Sequence, residues 1–168
     1  LFGAQGWPPG KVPVAFFTDA NCPYCKVLEK RLFDMRDSGA PITLAWHELP
    51  LLGPNSARTA RAILAARFLG REEAARAYLS QNALPPGPVG LRRLAEALDL
   101  LPGMLQREES SARVSRTLSD SMLLGGRLGI VGTPGTVIGR TLVIGAIREP
   151  DLTKLIEIEA AAPQTICS

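Results

Sequence analysis

The chain of 168 residues has little of what metal centres and disulfide-stapled folds are made from. It carries one histidine, His47, and three cysteines. Three cysteines do not make a disulfide-stapled mini-protein. A tetrahedral zinc site takes four ligands, commonly from two Cys-x-x-Cys pairs. Beside Cys22 and Cys25 there remain only His47 and the distant Cys167, so no metal and no cofactor is expected. No apolar run approaches the ~20 residues that span a bilayer. Leu1 to Gly6 lack a basic segment followed by a long apolar one, so a signal peptide is expected to be absent or already removed. Charge of one sign is also scarce, with a net charge of +3. It comes mostly from arginines spread over expected helices, including Arg58, Arg61, Arg67, Arg71 and Arg76. These read as a solvated helix face. Without clustered basic residues, nucleic-acid binding is not expected. There is no internal repeat. Cys167, beside the C-terminus, reads as a free thiol, an intermolecular partner or a bystander.

What is present centres on Asn21-Cys22-Pro23-Tyr24-Cys25-Lys26. An apolar run, Val12 to Phe17, precedes it and a helical pattern follows. Two cysteines spaced this way at a strand-to-helix junction form the usual redox-active dithiol arrangement. Pro23 suits the first helical position, where a missing N–H costs nothing. Cys22 then lies at the N-cap, facing unpaired backbone N–H groups and the positive end of the helix dipole. A thiolate there is stabilised and nucleophilic. Cys25 lies one turn further on, more buried, able to close onto Cys22 or resolve a mixed disulfide. A half zinc site or two inert cysteines are the plainer readings.

The order of elements follows from periodicity. Leu1 to Lys11, with Trp7-Pro8-Pro9-Gly10, reads as an arm. Val12 to Phe17 reads as a strand buried on both faces. The helix from Pro23 to about Arg36 points Leu28, Leu32 and Met35 inward, and Ser38-Gly39 ends it. Ile42 to Trp46 is a second strand, completing a right-handed βαβ unit. Asn55-Ser56 reads as an N-cap of a helix with Ala60, Ile63, Leu64 and Phe68 inward. Arg71 to Leu84 is a second helix with Ala74, Ala77 and Tyr78. Leu91, Leu94, Ala95 and Leu98 mark a third. A stretch from about Gln106 to Leu124, divided at Ser110-Ser111, carries Val114, Leu118 and Met122. Residues 54–126 therefore read as an inserted all-helical domain. The remainder, 1–53 with 127–168, forms one discontinuous α/β domain. Thr136 to Ile144 is a hairpin, with Gly139 suited to a type II′ turn. Pro150-Asp151 open a last helix carrying Leu152, Leu155 and Ile156, and the tail from Ala160 is expected to fray. Before the hairpin, Thr133-Pro134 stands where an inner strand begins, a position open to a cis bond. Backbone exposed there could pair with an extended substrate segment.

Four segments together resemble the bacterial DsbA-like thiol–disulfide oxidoreductases. They are Phe16 to Cys25, the loop Glu48-Leu49-Pro50-Leu51-Leu52-Gly53-Pro54-Asn55-Ser56, the helical insertion, and Leu128 to Pro134. The likeness covers nearly everything from Val12 to Ile156 and is nearest to the ScsC/Com1-like branch. It implies a thioredoxin-like fold with a helical domain between the βαβ unit and the terminal hairpin and helix. It implies Cys22 as the attacking or attacked thiol, Cys25 as the resolving thiol and Thr133-Pro134 as a substrate-facing cis-proline pair. Pro23 and Tyr24 hold the positions that tune redox potential. Cysteine-containing protein substrates, a membrane redox partner and a periplasmic location are implied too.

Two departures matter. The inter-cysteine pair is not the Pro-His of the strong oxidase. Phe16 stands where thioredoxins keep a buried proton-transfer acid. Asp19 and Glu48 are the nearby acids that could serve in its place, each more simply read as a solvated loop acid, and His47 reads as structural. About eleven residues precede the first strand, leaving little room for an oligomerisation segment, so a monomer is expected. The oxidase direction is favoured over isomerase or reductase. A Cu(I)-handling module through the same two sulfurs and a non-catalytic peptide-binding module are the competing classes.

Overall fold

The computed structural model describes residues 8–101 and 103–162. Most of the expected arm, Trp7 included, lies outside the described residues, as do Cys167 and most of the expected frayed tail. Within them, Pro8 to Lys11 form a turn closed by Lys11 N donating to the Pro8 carbonyl at 3.3 Å. Two parts then build the molecule: a four-stranded sheet flanked by helices, and a run of five helices between its second and third strands.

Strand β1 (Val12–Thr18) is buried at every position, as its nearly all-apolar run requires. Helix α1 (Pro23–Asp37) follows, with Leu28 and Leu32 buried and Met35 partly so. Strand β2 (Ile42–Glu48) pairs in parallel with β1, with Val12 opposite Ile42 and Thr18 opposite Glu48. Strands β3 (Gly135–Ile138) and β4 (Thr141–Ile144) form the hairpin, and β3 runs antiparallel to β1. The order across the sheet is β2-β1-β3-β4. Gly139 has φ +55° and Arg140 does not share a positive φ, as a type II′ turn demands. Helix α7 (Glu149–Ala161) buries Leu152 and Ile156. It continues through Ala160, where fraying was expected.

Alternation along β1 divides the two faces of the sheet. Val12, Val14 and Phe16 point to α1 and α7, with Ile138 and both dithiol cysteines in the same cluster. Ala15 and Phe17 point the other way, onto Leu49, Ile130 and Val137. That face is covered by α6 (Ala112–Arg127), whose Leu124 packs there. Gly125 lets this helix come close: a Cβ there would lie 3.1 Å from Leu49 Cδ1.

The remaining helices are α2 (Pro54–Phe68), α3 (Glu72–Gln81), α4 (Pro88–Ala97) and α5 (Met104–Glu109). With α6 they enclose a separate core of leucine and alanine. Three expectations are corrected here. The cap of α2 is Gly53, with Pro54 as its first residue, because proline with its φ preset and no N–H fits that place better than Asn55. The inward face of α3 carries Ala75, Arg76 and Leu79, whereas Ala74 and Ala77 are exposed. On α6 the buried line is Val114, Leu118, Ser121 and Gly125, and Met122 points to solvent at 45% exposure. Ser111 caps α6, accepting from Val114 N at 3.2 Å, so the Ser110-Ser111 pair does divide the stretch.

Candidate active site

Cys22 is the N-cap of α1, with φ −82° and ψ 121°, and Pro23 follows at the first position. No side chain caps this helix, so the free N–H groups and the positive dipole end face the Cys22 sulfur. Cys22 is 5% exposed and Cys25 is fully buried, both as free thiols. Burial pushes the Cys25 thiol up from its ordinary 9.0 to about 12, against smaller lowering by hydrogen bonds from Asp19 and Thr133. Cys25 is thus held as a thiol at neutral pH and needs help to lose its proton.

A carboxylate fixes the loop before the dithiol. Asp19 Oδ1 accepts from Asn21 N at 2.9 Å, and Oδ2 accepts from Leu52 N at 3.0 Å. Cys22 N donates to the Asp19 carbonyl at 2.9 Å. Asn21 Nδ2 donates to Ser56 Oγ on α2 at 3.0 Å. Asp19 is therefore a buried anchor and not the solvated acid expected from its loop position. Glu48 departs from expectation in the same way: it is fully buried against Arg76. Burial raises its carboxyl, and Arg76 acts in the opposite direction.

Thr133 and Pro134 come to the dithiol from a distant part of the chain. Cys22 Sγ donates to the Thr133 carbonyl at 3.5 Å, and the Thr133–Pro134 peptide is cis. Pro134 is buried, and its carbonyl accepts from Gly145 N at 2.8 Å. Gly135 permits the turn to pack, since a Cβ there would lie 2.6 Å from Ile130 Cγ2. Exposed apolar side chains belong to the segments around Cys22: Tyr24, Leu51, Leu52 and Val131. His47 stands apart, with its ring stacked on Phe17 at 4.7 Å. Among the described residues no cluster of metal ligands forms and no helix is long and apolar enough to cross a membrane.

A family model described as the DSBA-like thioredoxin domain matches residues 13–157. The chain belongs to this family. DsbA-like proteins act on cysteine-containing substrates, and thiol–disulfide oxidoreduction is their enzyme class. Among solved structures, a thioredoxin-like oxidoreductase from Silicibacter pomeroyi is 33% identical. The alignment covers 92% of this chain and 90% of that one, with a TM-score of 0.83. The catalytic domain of Proteus mirabilis ScsC is 25% identical over 94% and 88% of the two chains, with a TM-score of 0.79. The thiol-disulfide exchange protein alpha-DsbA2 from Wolbachia pipientis, at 22% identity, shares the fold over 91% and 84%, with a TM-score of 0.80. No curated protein matches the sequence.

One residue of the neighbourhood was misread from sequence. Arg76 was placed with the solvated arginines, yet it is 2% exposed and bonded to three carboxylates. Arg58, Arg61 and Arg67 are half-buried as well. The available signal was Glu72, four residues before Arg76 and able to pair with it on one helix face.

Proposed function

We propose that the chain is a periplasmic thiol–disulfide oxidoreductase that exchanges disulfides with protein substrates through Cys22 and Cys25. The observation that carries this reading is Cys22 at the uncapped start of α1 with its sulfur on the Thr133 carbonyl. In the oxidising direction a substrate thiolate attacks Sγ of Cys22 in the Cys22–Cys25 disulfide. The S–S bond breaks, and Cys25 leaves as a thiolate and takes up a proton. A second substrate thiolate then attacks the substrate sulfur of the mixed disulfide, releasing Cys22. The substrate loses two electrons and the dithiol gains them. Thr133 and Pro134 are the docking pair for an extended substrate segment. Pro23 and Tyr24, both exposed between the sulfurs, tune the potential.

Residues 54–126 are read as an inserted helical domain, supported by their separate leucine–alanine core. The oxidase direction is preferred over isomerase or reductase, and a membrane redox partner recycles the monomer. Replacing Cys22 by Ser is expected to abolish dithiol exchange with a cysteine-containing peptide; undiminished exchange overturns the reading. The reduction potential against glutathione decides direction, since ~30 mV is worth ~1.4 kcal/mol for this couple. Gel filtration tests the monomer.

A further inference from the structure

The turn that carries the chain from β1 to the dithiol is built on one side chain. Asp19 is 1% exposed, and each of its carboxylate oxygens accepts one backbone N–H. Oδ1 takes Asn21 N at 2.9 Å, within the turn, and Oδ2 takes Leu52 N at 3.0 Å, from the loop after β2. A carboxylate only accepts, and two convergent donors fix its orientation. The main chain of Asp19 is engaged as well. Its carbonyl accepts from Cys22 N at 2.9 Å, which closes Asp19 to Cys22 into a β-turn. The preceding carbonyl, of Thr18, accepts from Leu49 N at 2.8 Å. The loop after β2 is thus tied to the end of β1 at two successive residues.

The peptide group on the other side of Asp19 serves the second cysteine. Asp19 supplies the backbone hydrogen bond to Cys25, which favours the charged sulfur against the burial that disfavours it. Asp19 therefore meets both cysteines through its own peptide groups, while its carboxylate sets where those groups stand. Cys25 needs such a donor. It is fully buried, in one cluster with Phe16, Leu28 and Leu32, and the titratable group facing it, Cys22, also acts against its ionisation. The charged groups of the surrounding elements are engaged elsewhere. Lys26 of α1 donates to the Leu79 and Ser80 carbonyls at 3.2 and 3.1 Å. Glu29 of α1 and Glu48 of β2 are bonded to Arg76 of α3. Glu159 of α7 is bonded to Arg140 and Thr141.

We propose that Asp19 is a positioning residue of the exchange reaction: its carboxylate, clamped between the dithiol turn and the Leu52 loop, holds the Asp19 N–H on the Cys25 sulfur as that thiol attacks or leaves. The carboxylate takes no proton in this role. The inference rests on the dithiol reading above. In the resolving step the Cys25 S–H bond breaks and its proton passes to water. The sulfur electron pair attacks Cys22 Sγ, the bond from Cys22 to the bound thiol breaks, and that thiol leaves as a thiolate that solvent protonates.

The test loads Cys22 with glutathione and follows its release by Cys25 across pH, in wild type, Asp19→Asn and Asp19→Glu. An amide offers one acceptor oxygen, so Asp19→Asn leaves one of the two N–H groups unpaired whichever way it turns. Asp19→Glu keeps the carboxylate but displaces it by one methylene. Both are expected to release glutathione about 10-fold more slowly at neutral pH, with the pH profile displaced upward and the helix content unchanged by circular dichroism. Removing a nearby negative charge has the opposite sign, because it eases ionisation of a thiol. Faster release or wild-type behaviour in Asp19→Asn, or recovery of the wild-type rate in Asp19→Glu, overturns the inference. If a variant unfolds, wild type carries the test. The Asp19 amide resonance of the reduced protein is expected to shift as pH rises towards about 12 and to stay in place in Cys25→Ala. No shift, or the same shift in Cys25→Ala, overturns the inference equally. If wild type itself neither loads nor releases glutathione, the dithiol reading falls; if it does both and the variants match it, only the role of Asp19 falls.

Discussion

The helical layer and the sheet body both bury polar side chains, but among the described residues they differ in which are left unpaired. The core of α2 to α6 is leucine and alanine: Ala62, Ile63, Leu64, Ala65 and Ala66 are closed off on one helix. Among the described residues, the buried side-chain oxygens without partners, at Thr18, Glu48 and Thr136, all belong to strands of the sheet. The buried Asp19 and Glu48 belong to that body too. Buried polar groups are destabilising unless paired, and native folds keep few unpaired. Here they gather where α1 starts and at the strand ends below it. The helical layer keeps a leucine–alanine core of its own and reaches into that polar region through Arg76 and Ser56.

If this contrast is right, the largest effect comes from breaking the seam. Arg76→Met is expected to lose about 3–5 kcal/mol, because it leaves buried carboxylates unpaired. Denaturant unfolding measures it; a loss below 1 kcal/mol would place the cluster in solvent. The second effect is a pH dependence of the reduced protein. The Cys25 pKa is raised in the fold, so this stability is complete below about 9 and disappears as pH rises towards about 12. The loss is on the order of 4 kcal/mol, and Cys25→Ala should remove it. Equal pH dependence in that variant contradicts the assignment.

Next comes the dry side. Leu64→Ala is expected to lose about 3 kcal/mol through the cavity it opens, while exchange per folded molecule stays at the wild-type rate. A drop in exchange would show that the helical core communicates with the dithiol by more than Arg76 and Ser56. The smallest effect belongs to Ser111→Ala, which removes the α6 cap and about 1 kcal/mol, read as a lower thermal midpoint.

Much of this arrangement was legible in the residues. β1 could be read because nothing polar interrupts Val12 to Phe17, and the dithiol because Pro23 marks the helix start. The inward face of α3 could not. Alanine lies on both of its faces, so periodicity did not separate Ala74-Ala77 from Ala75-Leu79. Choosing the wrong stripe turned Arg76 outward. Its partners, Glu29 and Glu48, come from α1 and β2, and no spacing in one helix reveals them. Asp19 was misjudged for a related reason: a carboxylate in a loop is usually solvated, and the Leu52 N–H that buries this one lies 33 residues away. Thr133-Pro134 was legible as a motif, but its contact with Cys22 depends on the fold bringing β3 beside β1.

The most direct test of Cys22 as the exchanging thiol is covalent trapping. In Cys25→Ala the resolving thiol is gone, so a peptide disulfide should remain attached, and digestion with mass analysis should place it on Cys22. Absence of an adduct, or equal trapping by a Cys22→Ala protein that keeps Cys25, would contradict that assignment.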